Sequence, residues 1–139
     1  SEAKRSGDML NSAKLFEDSE KAHPLREDEM IPVERIVGRL VAIGAEDDSL
    51  WDTAKYIRRM EKRLAERQGC CETEAAVYVH GTHFVFPEGM LRTMLPVGSA
   101  LFVRLAFPNA KPYAKECRQT RLDIDRRLRA ALHVWREKP

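Results

Sequence analysis

Ile36, Ile43, Leu50, Ile57 and Leu64 recur at seven-residue intervals between Val33 and Arg67, and no other feature restricts the fold of this chain as strongly. Val33, Val37, Leu40, Ala54 and Met60 fill the three- and four-residue offsets, so the stretch carries the apolar stripe of an amphipathic helix. Gly44 to Ser49 interrupts it with a poor helix former, the acids Glu46, Asp47 and Asp48, and a serine able to cap a second helix from Leu50. The pattern predicts two consecutive helices or one bent one. A repeat of seven is what helices need to pack along each other, and burying each Ile or Leu is worth about 1.5 to 3 kcal/mol. The stripe is therefore expected to make a homo-oligomer, with packing inside one chain as the alternative. Arg58, Arg59, Lys62 and Arg63 beside it do not set a register.

A chain of 139 residues fits one domain, and 43% hydrophobic with 33% charged residues excludes a disordered or membrane-spanning class. No apolar run approaches a bilayer-crossing length, and Ser1 to Arg5 lacks a secretory signal, so a cytoplasmic location is expected, unless a leader has been removed. Three cysteines, two of them adjacent as Cys70 and Cys71, do not form a disulfide framework and read as reduced thiols. The net charge of +2 is unevenly spread: residues 1–32 carry −3 and residues 111–139 carry +5.

Residues 1–11 read as a polar leader and residues 13–24, with Pro24, as an edge strand. Residues 33–68 form the helical element, stopped at Gln68-Gly69. From residue 75 the pattern becomes β-like: a hairpin over 75–86 around Gly81, a connection from Met90, and a strand over 99–107. Leu122, Leu128, Ala131, Leu132 and Trp135 mark a C-terminal helix over 122–137, and residues 113–122 are open between a last strand and the start of that helix.

Four zinc-ligand types, Cys70, Cys71, His80 and His83, fall in a short span, but adjacent cysteines diverge in extended chain and the hairpin sets the histidines on opposite arms. A Cys117 or Cys71 nucleophile with either histidine lacks a visible orienting acid or oxyanion hole. The common phosphate-loop, dinucleotide, nucleophile-elbow and zinc-helix motifs are absent, so no enzyme and no cofactor or metal is expected. Arg118, Arg121, Arg126, Arg127 and Arg129 offer an alternative from another class, phosphate or nucleic-acid contact by the last helix; a solvated basic face explains them equally.

The order of segments resembles the PilZ family, in its atypical tetramer-forming branch. The residues that carry this are Leu15 to Asp18 with Pro24, the acidic break at Glu46 to Asp48, the charged helix from Arg59 to Leu64, and Val77 to Phe86 followed by Met90-Leu91 and Leu95 to Pro108. The R-x-x-x-R and D-x-S-x-x-G ligand motifs of that family are missing; Gly69 to Glu74 and His80 to His83 stand there, and Arg59 and Arg63 lie mid-helix. The resemblance implies an α+β fold with a small PilZ-like β-barrel or sheet over 75–124, a long helical element and a C-terminal helix. It further implies a non-catalytic signalling adaptor, tetrameric, without cyclic di-GMP at the usual site, acting on an unidentified signalling protein.

Overall fold

The computed structural model describes residues 12–96 and 98–137. Its centre is a βαβ unit. Strand β1 (Arg39–Ala45) and strand β2 (Glu72–Tyr78) pair in parallel, from Arg39 opposite Glu72 to Ala45 opposite Tyr78. Helix α2 (Thr53–Glu66) connects them and packs on the pair. Helix α1 (Ala13–Ala22) precedes this unit, while α3 (Glu88–Met94), α4 (Ser99–Ala106) and α5 (Ala114–Glu137) follow it.

The seven-residue seam does not exist as a seam. Ile36 lies in extended chain, Ile43 in β1 and Leu50 in a turn; Ile57 and Leu64 alone share a helix. Each element contributes at most two members, so the interval crosses elements instead of running along one face. Ile36, Val37, Val41 and Ile43 favour extended backbone, and Gly38, with φ +102°, stops any helix entering from Val33. Ile57 and Leu64 are buried within the chain, Ile57 beside Gly44 of β1 and Leu64 beside Gly69. Gly44 makes that packing possible: a Cβ there would come within 2.7 Å of Ile57 Cδ1 and 2.9 Å of Thr53 Oγ1. Asp52, rather than Ser49, caps α2 by accepting from the Lys55 amide at 2.9 Å. The stop is where the residues indicated, with Gln68 left-handed at φ +51°.

No barrel forms from the described residues; the sheet has two strands. Residues 13–22, expected as an edge strand, are helix α1, whose Ser12 and Ala13 amides donate to the Ser49 carbonyl at 3.0 and 3.1 Å. Residues 79–87 are a loop and not the second arm of a hairpin. Residues 99–106 are helical, because Val103 and Phe107, four apart, pack with Leu91, Ala110 and Cys117 in a small core that alternation along a strand would split. The leader at 1–11 lies outside the described residues. The C-terminal helix is present and starts earlier than expected, at Ala114, which settles residues 114–122 as helix. Its buried face runs through Cys117, Arg121, Ile124 and Ala131, leaving Leu122, Leu132 and Trp135 exposed. Among the described residues no helix is long and apolar enough to cross a membrane.

Candidate active site

Parallel pairing brings the carboxyl ends of β1 and β2 to one edge, the edge where open α/β sheets place their chemistry. The Glu46 amide donates to the Tyr78 carbonyl at 2.8 Å, and beyond this last rung the two chains diverge into loops. One loop begins with Asp47 and Asp48. The other carries His80, Gly81, Thr82 and His83.

Asp48 and His83 meet across these loops. Asp48 Oδ2 lies 3.0 Å from His83 Nδ1, and the Asp48 side chain is fully buried while that of His83 is about one-quarter exposed. The other carboxylate oxygen, Oδ1, accepts from the Leu50 and Trp51 amides at 3.0 and 3.3 Å, so the acid cannot swing away without losing a turn. An acceptor facing Nδ1 selects the tautomer with its proton there, which leaves the Nε2 lone pair available for a proton. Trp51 packs edge-on against the His83 ring at 5.1 Å and Phe16 against Trp51 at 5.9 Å, fixing the ring from the side.

Asp47 shapes the loop that presents this histidine. Its Oδ1 accepts from the Gly81 and Thr82 amides at 2.9 and 2.7 Å, and its carbonyl accepts from Asn109 Nδ2 at 2.8 Å. Thr82 is completely buried with φ +59°, a conformation a β-branched residue adopts only when its surroundings impose it. Its hydroxyl accepts from the Phe84 amide at 3.1 Å. Gly81 allows the loop to lie flat between β1 and α5: a Cβ would stand 2.9 Å from Val85 Cγ1, 3.0 Å from Ala45 Cβ and 3.2 Å from Thr120 Cγ2.

The residues singled out from the sequence fare differently. Cys70 and Cys71 sit at the start of β2, and seven strand residues at about 3.3 Å each separate them from the histidine loop. They do not join His80 and His83, and among the described residues no group of three or more His, Cys, Asp or Glu is placed to hold a metal ion. Cys117 is buried, and its thiol is pushed up to about 11 by burial first and then by the Asp47 charge, which makes it a poor nucleophile. The five arginines singled out on α5 are matched by carboxylates. Arg121 is buried against Glu88 at 2.7 Å with Arg118 at 3.8 Å from the same acid, Arg127 bridges Asp123 and Glu74, Arg126 pairs with Asp123, and Arg129 pairs with Asp125. Arg59 and Arg63 pair with Glu20 and Glu34. The missing orienting acid was in the sequence all along, in the Glu46-Asp47-Asp48 cluster read there as a helix break. The signal for it was an acid directly after a β-rich run, followed 35 residues later by a histidine just after the next one.

A βαβ unit with an acid after one parallel strand and a histidine after the next has the arrangement of the acid–base half of an α/β-hydrolase site, where the acid precedes the histidine in the chain. Consistent with it, the family model for BAAT / Acyl-CoA thioester hydrolase C terminal matches residues 4–90, which include both Asp48 and His83. That is more than half of the chain, and the chain belongs to this family. No curated protein and no solved structure matches it. The family match overturns the PilZ resemblance, and with it the expectations of a cyclic di-GMP signalling adaptor and of a non-catalytic protein. It gives no support to the nucleic-acid alternative. The shared order of helix and β-rich segments that suggested PilZ is too general a pattern to separate a barrel from a βαβ unit.

Proposed function

We propose that this chain supplies the general base and its orienting acid to an acyl-transfer site that cleaves acyl-CoA thioesters. The observation that carries the reading is the 3.0 Å contact between His83 Nδ1 and the buried Asp48 carboxylate, supported by the family match. In the reaction His83 Nε2 takes the proton of an attacking hydroxyl or thiol as that group bonds to the thioester carbonyl. The C–S bond then breaks, and the imidazolium returns the proton to the departing thiolate. Asp48 stabilises the imidazolium throughout.

The Asp48 carboxylate takes the Nδ1 side of the His83 ring, so the proton-accepting side in this reading is Nε2. The nucleophile in this reading is a hydroxyl or thiol presented to Nε2 at the carboxyl edge of the strands, on this chain or on a segment docked there. The parallel pair is suited to accept one: parallel sheets are rarely two strands wide, and among the described residues each strand has one edge unpaired.

Release of free thiol from long- and short-chain acyl-CoA tests the reading directly, with the chain assayed alone and together with proteins that co-purify with it. His83→Gln is expected to lower turnover by about 10² to 10⁴ and Asp48→Asn by roughly 10⁴, the second through loss of the correct tautomer. Turnover indifferent to both substitutions, or absent from every preparation, would sink the assignment.

A further inference from the structure

Beside the Asp48–His83 pair lie two buried polar atoms that have no hydrogen-bond partner, Asp47 Oδ2 and His80 Nδ1. They stand 3.5 Å apart. Their neighbours are engaged elsewhere. Asp47 Oδ1 takes two loop amides, the His80 carbonyl accepts from the Thr120 hydroxyl at 2.5 Å, and the His80 ring stacks on Tyr113 with centroids 3.7 Å apart and planes 10° from parallel. Stacking and the carbonyl bond hold the imidazole from α5 and its leading turn, so its Nδ1 edge is turned towards Asp47.

Leaving a carboxylate oxygen and an imidazole nitrogen buried and unpaired is costly, on the order of 1 to 3 kcal/mol for each lost hydrogen bond. One proton on His80 Nδ1, with a closing movement of a few tenths of an ångström, satisfies both atoms and brings the contact to the ordinary hydrogen-bond range of about 2.7 to 3.2 Å. We propose that His80 and Asp47 form a second acid–imidazole pair, and that His80 is a positioning residue: by holding Asp47 it holds the Gly81 and Thr82 amides, and through them His83. The two adjacent acids thereby divide the work. Asp48 orients the ring of the base, while Asp47, steadied by His80, fixes the backbone on which that base is carried. Thr82 needs such a brace because its left-handed, buried conformation is strained for a threonine.

The inference rests on reading His83 as the base, so its test includes measurements that do not depend on turnover. Long-range proton–nitrogen NMR of the chain is expected to place the His80 proton on Nδ1. In Asp47→Asn the side-chain oxygen still serves Gly81 and Thr82 while the amide nitrogen faces His80, so the His80 proton is expected to move to Nε2. His80→Phe keeps an aromatic ring over Tyr113 and loses the donor; Gly81 and Thr82 amides should then exchange with solvent at least about tenfold faster while the β1 amides are unchanged. His80→Asn, whose amide restores a donor near Nδ1, should exchange more slowly than His80→Phe. In the acyl-CoA assay His80→Phe should lower kcat and leave KM in place.

Unchanged exchange at Gly81 and Thr82 in His80→Phe, or His80→Phe and His80→Asn behaving alike, would overturn the brace. If the NMR outcomes hold while turnover ignores His83→Gln, the brace stands and the catalytic reading falls instead.

Discussion

The hydroxyl of Tyr78 donates to Asp123 Oδ2 at 2.6 Å, tying the last residue of β2 to the middle of the C-terminal helix. Arg127 donates to the same carboxylate at 2.7 Å and to Glu74, four residues before Tyr78 in β2, also at 2.7 Å. The long helix is thus latched to the strand that leads into the histidine loop.

This latch predicts a stability profile with two separate legs. The Tyr78 hydrogen bond, followed by that of Arg127, holds the Asp123 carboxyl well below the usual carboxylate range. A depressed acid contributes stability that is present above its unfolded value near 3.9 and is lost as pH falls through the folded one. Burial, followed by Asp123, pushes the Tyr78 hydroxyl up to about 12. Its contribution is complete below the unfolded value near 10 and is lost as pH rises towards 12. Denaturant midpoints measured across pH should show Asp123→Asn flattening the acid leg, and Tyr78→Phe removing the alkaline leg and, with its hydrogen bond to Asp123, part of the acid leg as well. An acid slope in Asp123→Asn equal to that of the parent chain would refute the first.

Ile57 faces the strands, so replacing it by Asp should unfold the chain. The burial that removes it from water is internal, at 7% exposure. The milder Ile57→Ala is expected to cost about 2 to 5 kcal/mol in urea unfolding. A folded Ile57→Asp chain with a reduced solution mass would instead mean that Ile57 serves contacts between chains.

Arg121 is 3% exposed and has Glu88 as its acid, so the pair should respond asymmetrically to mutation. Glu88→Ala strands a buried guanidinium and is expected to cost about 3 to 5 kcal/mol, whereas Glu88→Met with Arg121→Met should recover most of that loss. Thermal unfolding of the two variants decides it. Equal destabilisation by both would argue against a buried pair.

Gly81→Ala should damage the site more than the fold. Its added methyl meets Ala45 Cβ at 3.0 Å, and the strand-end backbone behind that atom has little room to yield. The expected result is a displaced His83, seen as a loss of turnover of about 10² with the melting temperature lowered by only a few degrees. A variant as active as the parent would show that the loop has slack.

Several parts of this protein could be read from its residues. The stop at Gln68-Gly69 is visible because glycine follows a helical run, and the C-terminal helix because its apolar residues keep helical spacing over several turns. The site was less legible. His83 stood out as a titratable side chain but Asp48 read as part of a polar break, and the order that links them, an acid after one β-rich run and a histidine after the next, has meaning only once the two runs are known to pair in parallel.

Local composition determined where the chain turns, which stretches carry apolar faces, and that the last segment is helical, since those depend on neighbours within a few residues. The tertiary structure decided everything that depends on distant partners. Val103 and Phe107 became one face of a helix because Leu91 and Cys117 were there to receive them. The seven-residue interval dissolved because β1 found its partner in β2, and backbone hydrogen bonds to a strand 33 residues away outweighed a weak helical preference. The acid–imidazole pair exists for the same reason: parallel pairing puts two strand ends side by side, and only that closure brings Asp48 within 3.0 Å of His83.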